Sequence, residues 1–171
     1  MSFWDGPIPF FTPKDISQSH YVISTEKNIS ELGLNNCSSK LYLKNTTFVT
    51  ARGTVGAIGL SGVKMAMNQS CYAILDNEKG KFFTHQHTLE AIKQLKREAV
   101  GAVFSALVTK DFDSCYVLDP GENVLKKFDI IAKHLYKCLE ANTKLTLELN
   151  KAINLFLSKM TKIEVKKEII N

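Results

Sequence analysis

The residues with the clearest capacity for chemistry stand in short polar turns. Arg52 and Thr54 flank Gly53 in a glycine-rich stretch, Thr50–Ile74, where Gly53, Gly56, Gly59 and Gly62 recur at every third residue. Asn68, Gln69 and Ser70 form a second polar step in that stretch. Thr12, Lys14 and Asp15 surround Pro13, so donors, acceptors and both signs of charge meet at one turn. Groups of this kind recognise a partner by hydrogen bonding. His85 and His87 are two apart, point to different sides of a helix, and make a poor metal pair. They read as surface or cap residues, with phosphate or base contact as the sharper alternative. A nucleophile would have to come from Cys37, Cys71 or Cys115 paired with one of these histidines. No nucleophile motif, phosphate loop, metal spacing or paired carboxylates support that. A free-standing enzyme is disfavoured, and neither cofactor nor metal is expected.

The elements that must carry these turns follow from pattern. Thr50–Ile74 reads as strand, tight polar turn, strand, turn, strand; its glycines permit positive φ and close backbone approach. Asp5-Gly6-Pro7 is a turn, and Ile8–Phe11 is a short extended piece that its prolines should keep off a central strand. Ser24 or Thr25 can cap a short helix over 24–34 that stops at Gly33. Lys40–Leu43 and Thr46–Ala51 read as strands joined at Asn45. Phe82–Ala99 has helical periodicity, with Phe83, Ile92 and Leu95 sharing a face. Val100–Leu107 reads as a small-residue turn and strand, Thr109 as the cap of one helical turn, and Ser114–Leu118 as another strand. Asp119-Pro120-Gly121 is a strong break, which sets an expected boundary between 1–120 and 121–171.

After the break comes one long pattern. Phe128, Ala132, Leu135, Leu139, Asn142, Thr146, Leu149, Ile153, Phe156, Met160 and Ile163 alternate steps of four and three, a heptad seam over five repeats. No Gly or Pro interrupts residues 122–171. Leu125, Ile131, Leu145 and Leu157 widen the apolar face. A helix over 122–165 would be about 65 Å long at ~1.5 Å per residue. A compact domain cannot cover such a stripe, so most of it is expected to face a partner chain. Phe128, Leu135, Leu139, Asn142, Leu149, Ile153 and Phe156 are the expected interface, and Asn142 could fix its register.

Composition sets the class. The chain has 171 residues, 44% hydrophobic and 23% charged, which is globular. No apolar run approaches the ~18–20 residues that span a bilayer, and the first residues show no secretory signal. With four widely spaced cysteines and no CxxC, reduced thiols in the cytoplasm are expected. Residues 1–120 carry 12 Lys+Arg against 11 Asp+Glu; residues 121–171 carry 10 Lys against 6 Asp+Glu. By charge alone, the front of the chain is no conspicuous polyanion binder.

Taken in order, several blocks resemble the specificity subunits of type I restriction–modification systems. They are W-D-G-P-I-P-F-F-T-P-K-D-I at 4–16, L-Y-L-K-N-T-T-F-V-T-A-R-G-T-V-G at 41–56, M-N-Q-S-C-Y-A-I at 67–74, A-V-G-A-V-F-S-A-L at 99–107 and V-L-K-K-F at 124–128. The resemblance implies an α+β, β-rich target-recognition domain with mixed and antiparallel strands and short helices, followed by one long C-terminal coiled-coil helix. In that family two recognition domains each read half of a split DNA site. Their two helices pack antiparallel as a spacer, methyltransferase subunits bind around the helices, and a restriction subunit joins through them. The specificity subunit is not itself catalytic. This chain resembles one such half, and it begins closer to the tryptophan than family recognition domains usually do. A homodimer through the helix, or a truncated cassette copy that binds partners without reading DNA, are the two expectations.

The resemblance makes Thr12, Lys14, Asp15, Arg52, Thr54, Asn68, Gln69, Ser70, His85 and His87 candidates for contact with double-stranded DNA. Arg suits guanine and Asn or Gln suits adenine in the major groove. Residues shared with the family should build scaffold and touch backbone, because members read different sites. Base choice is then expected around Gln18–Tyr21, Asn35–Ser39 and Lys79–His87.

Overall fold

The computed structural model describes residues 2–16, 20–76, 80–98 and 106–168, with side chains as far as Met160 at the C-terminal end. In chain order the elements are β1 (Trp4–Phe11), a 3₁₀ turn (Pro13–Asp15), β2 (Tyr21–Val22), β3 (Asn28–Ile29), α1 (Glu31–Asn35), β4 (Thr47–Thr50), β5 (Ile58–Ser61), β6 (Ala66–Met67), β7 (Cys71–Ile74), α2 (Lys81–Glu98), α3 (Thr109–Asp113) and α4 (Glu122–Glu168). The fold is α+β. A three-stranded sheet runs β3-β1-β6 and a four-stranded sheet runs β2-β5-β4-β7. Both mix parallel and antiparallel pairs.

Alternation along β4 organises the interior. Phe48 joins Phe11, Val22, Met65 and Cys71 between the sheets, and its ring stacks on Phe11 at 4.7 Å. Val49 points the other way, into Ala51, Ile92, Leu95 and Leu107, so α2 covers that face. A third cluster, Tyr21, Leu60, Phe82, Ala132 and Tyr136, fastens α4 to the sheet and to α2.

Five local expectations are corrected. β1 is the middle strand of its sheet despite Pro7 and Pro9. Its register slips so that Trp4 and Ile8 both face Ile29, and β6 pairs only with Phe10 and Phe11, beyond the prolines. The helix expected over 24–34 begins only after Ser30, whose Oγ accepts from Gly33 N at 3.1 Å. Thr25 is engaged elsewhere: its Oγ1 accepts from Phe10 N at 3.1 Å and donates to Lys27 O at 2.7 Å, which ties the segment to β1. In α3 the cap is the Asp111 carboxylate, which accepts from Val108 N at 2.7 Å, and Thr109 lies inside the helix. Ser114–Leu118 is not a strand; Tyr116, Val117 and Leu118 are exposed. Of Lys40–Leu43, only Tyr42 bridges to the sheets, opposite Met65. Most of the strand expected over Val100–Leu107 lies outside the described residues.

α4 is the long helix that the seam predicted. Leu125, Ala132, Tyr136, Glu140 and Thr143 are buried against the rest of the chain. Asp129 Oδ1 accepts from Phe83 N at 3.2 Å at the start of α2. Glu140 pairs with Lys44 at 2.7 Å and with Lys144 at 2.6 Å. Among the described residues, no helix is long and apolar enough to cross a membrane.

Candidate nucleic-acid interface

Three of the predicted polar turns meet at one end of the sheets. Asn68 N donates to Phe11 O at 2.9 Å, which sets the Asn68–Ser70 turn beside the turn after β1. Ala51 N donates to Ser70 O at 2.8 Å, which brings in the glycine turn. A Cβ placed on Gly53 would lie 3.7 Å from Pro13 Cβ. Gly53 and Gly56 have φ of 79° and 68°, so this turn needs the left-handed region that glycine enters freely. The end of α2 closes the assembly, because Lys96 Nζ donates to Gly56 O at 2.9 Å.

Within this surface the side chains divide by what already occupies them. Asp15 Oδ2 accepts from Thr12 N and from Thr12 Oγ1, both at 2.7 Å, and its Oδ1 accepts from Glu26 N at 2.7 Å. Asp15 and Thr12 are thus committed to holding the turn. Asn68 Oδ1 accepts from Ser70 N at 2.9 Å, so Asn68 shapes its own turn. Thr50 Oγ1 donates to Thr54 O and accepts from Ala57 N at 3.0 Å, which fixes the glycine loop. Lys14, Arg52, Thr54 and Gln69 are exposed around this framework. They present two cations, a hydroxyl and an amide to solvent, the groups that contact phosphates and base edges.

The histidines are not part of that surface. His85 is 1% exposed, and its Nδ1 lies 2.5 Å from Tyr136 Oη, beneath α4. Burial, with His20 nearby, drives its pKa down to about 4, so it is neutral at pH 7. The surface reading of His85 fails because α4 covers that turn of α2. His87 is half-buried against the Phe83 ring, 4.1 Å away. Both sit on the first half of α2; Lys96, eleven residues beyond His85, is the one that reaches the glycine turn. Sequence reasoning missed Lys96, although helical spacing from Phe82 puts it on a definite face. The Cys71 thiol is buried between the sheets; burial, then the Asp15 charge, raises its pKa to about 12. A thiol so shifted is a poor nucleophile. Among the described residues, no group of three His, Cys, Asp or Glu could hold a metal.

Of the loops expected to choose bases, Asn35–Ser38 is exposed, and Ser39 Oγ accepts from Met67 N at 3.0 Å. That contact sets the loop next to the Asn68 turn. Tyr21 is buried, and residues 17–19 and 77–79 lie outside the described residues. Residues 80–87 lie at the α4 side instead.

On α4, Phe128, Leu135, Asn142, Leu149, Ile153 and Phe156 are exposed, as an interface requires. Leu139 is the exception: it packs half-buried on the Tyr21 and Leu60 cluster.

The chain and its fold are similar to known proteins. The sequence model of the type I restriction modification DNA specificity domain matches residues 3–155. The chain is 26% identical over 161 residues to the type I restriction enzyme MjaIX specificity subunit of Methanocaldococcus jannaschii, covering 87% of this chain and 37% of that protein. Its fold is similar to the HsdS subunit from Thermoanaerobacter tengcongensis, with a TM-score of 0.55, 12% identity, and coverage of 82% of this chain and 32% of that one. A chain from a structure describing complex assembly and conformational transition of a type I R-M system gives a TM-score of 0.55 at 15% identity, over 86% of this chain and 35% of that one. The chain therefore spans about a third of the length of the relatives it matches.

Proposed function

The chain belongs to the type I restriction modification DNA specificity family, and from that premise we propose that it reads one half of a split site in double-stranded DNA for a type I restriction–modification complex. The observation that carries this reading is the convergence of Lys14, Arg52, Thr54 and Gln69 on one surface built by three turns. Phosphate contacts from the cations position the protein, and neighbouring loops, Asn35–Ser39 first, choose bases. The unit itself is non-catalytic and works in the cytoplasm. It docks methyltransferase subunits and, through them, the restriction subunit. The exposed stripe on α4 pairs with a second copy of the chain. The near balance of charge over 1–120 fits a reader that draws part of its DNA grip from partners.

The same stripe supports a second reading, an interaction protein that binds partner subunits without reading DNA. One selection separates the two. Random duplex DNA is enriched on the chain together with a methyltransferase subunit. A split motif with two inverted half-sites is the expected result. Recovery of sequences with no common motif would leave only the interaction reading.

A further inference from the structure

Thr47 opens β4, and its hydroxyl is the one buried side-chain polar atom without a hydrogen-bond partner among the described residues. The residue is 1% exposed. An unpaired buried hydroxyl is costly, because water has been removed and nothing replaces it. β4 alternates, so Thr47 shares the face of Val49, which α2 covers. On that face lies a cavity of about 270 Å³ at the start of α2, which Thr47 lines together with Leu43, Ile74, Leu75 and Lys81. Leu43 and Leu75 are exposed at its mouth. The glycine turn follows the other end of β4, so this cavity and the candidate DNA surface lie at opposite ends of the strand.

A second cavity, of about 410 Å³, adjoins the first, and Asn45 and Lys81 line both. Its character is different. Lys44, Lys133 and Lys137 join Lys81 around it, with Asp129 and Glu140 as its acids. Both acids are already engaged. Asp129 accepts from Phe83 N at 3.2 Å and so caps α2, and Glu140 is held by Lys44 and Lys144. Lys81, Lys133 and Lys137 are exposed and make no ion pair among the described residues. Where the cavities meet, Asn45 Oδ1 accepts from Tyr21 Oη at 2.9 Å. That bond orients the amide and leaves its NH2 group to donate elsewhere.

An apolar slot with a hydroxyl in its floor, an amide at its edge and three unpaired ammonium groups beyond suits one kind of ligand. A nucleobase has apolar faces for the leucines and an edge of donors and acceptors for Thr47 and Asn45. Phosphates attached to it reach the lysines, where the bonds are charge-assisted. An aliphatic side chain from a partner protein would fill the slot but leave the Thr47 hydroxyl unpaired. A duplex does not fit, because its bases are stacked and paired.

We propose that this double cavity binds a nucleotide, with the base in the slot above Thr47 and the phosphates on Lys81, Lys133 and Lys137. The site is separate from the DNA surface described above and does not rest on the reading of that surface. The nucleotide is either free or the end of a single strand, and the test distinguishes the two. Isothermal titration calorimetry on the full chain, without divalent cations, compares the four ribonucleoside triphosphates, their nucleosides, inorganic triphosphate and single-stranded oligonucleotides. A nucleoside triphosphate should bind once per chain, at least tenfold more tightly than its nucleoside or inorganic triphosphate. Tighter binding of a single strand than of any triphosphate would assign the strand end as the source. In either case Lys133→Gln with Lys137→Gln, both on the exposed face of α4, should weaken binding at least tenfold. Thr47→Val should weaken it at least threefold without lowering the unfolding temperature, since it removes an unpaired hydroxyl. Inorganic triphosphate or a glutamate-rich peptide binding as tightly as the nucleotide would show that the lysines attract any polyanion, and the proposal would fail. It fails equally if Thr47→Val leaves affinity unchanged, if none of these ligands binds, or if only a single strand binds and the lysine variant does not weaken it.

Discussion

Lys14 and Asp15 are neighbours with the same apparent promise in the sequence, and the fold gives them different work. Asp15 takes three hydrogen bonds from Thr12 and Glu26; Lys14 stays exposed. Residue type shows that a group can bond, and only the tertiary contacts show whether its capacity is already used. The same holds for Asn68, spent on its own turn, and for His85, which a surface reading placed in solvent. Asp15→Ala should cost about 2–3 kcal/mol, because it strands charge-assisted donors. The loss would be measured by urea unfolding, and DNA affinity should fall with it across all sequences alike. His85 predicts a pH dependence whose sign follows from its lowered pKa. The unfolded chain takes up the proton as pH falls through about 6.5, while the folded chain resists until about 4. This contribution is full above pH 6.5 and is lost as pH falls toward 4, up to about 3 kcal/mol. Thermal unfolding of His85→Gln should lose that part of the slope between pH 6.5 and 4.5; an unchanged difference from the parent would sink the assignment.

The helices were the elements most open to sequence reading, because α2 and α4 keep a 3.6-residue period over many turns. The short strands were less so. β1 becomes central despite its prolines because Pro7 falls in the slipped register and β6 pairs only beyond Pro9, and β3 displaces the start of a helix because Thr25 bonds to β1. Neither contact is local, so neither leaves a periodic trace. α4 combines both cases: its existence follows from pattern, but the division of its faces depends on what α2 and the sheet cover. That division predicts that proline acts differently at two positions. Leu139→Pro breaks the helix inside the docked half, between Tyr136 and Thr143, and should cost about 3 kcal/mol or more. At roughly 2–4 °C per kcal/mol for a chain of this size, the unfolding temperature should drop by about 6–12 °C. Leu149→Pro lies beyond the buried part of α4. It should abolish the dimer while leaving the unfolding of the monomer, measured at low protein concentration, close to the parent. Equal destabilisation by the two prolines would show that α4 is not divided in this way.

At the scale of the whole molecule, the distribution of charge and the position of the turns set what DNA binding should look like. The surplus of Lys+Arg over Asp+Glu is one in residues 1–120 and four in 121–171. A reader with so little surplus charge in its recognition part should make few phosphate contacts there, and its affinity should fall less steeply with salt than that of a strongly basic domain. Each phosphate contact contributes about 0.9 to the slope of log affinity against log salt concentration. If Lys14 and Arg52 position the unit on the backbone, Lys14→Gln and Arg52→Gln should each weaken binding to every sequence. Each should also reduce that slope by about 1, with the enriched motif unchanged. Exchange of Asn35–Ser38 for the corresponding loop of a relative should do the opposite, altering the motif while the slope stays constant. The measurement is binding of labelled duplexes at several salt concentrations, with the methyltransferase subunit present throughout. If Arg52→Gln instead changes the preferred base at one position of the site, then Arg52 reads sequence directly. The division between a shared turn that holds the backbone and variable loops that choose the bases would then be wrong for this protein.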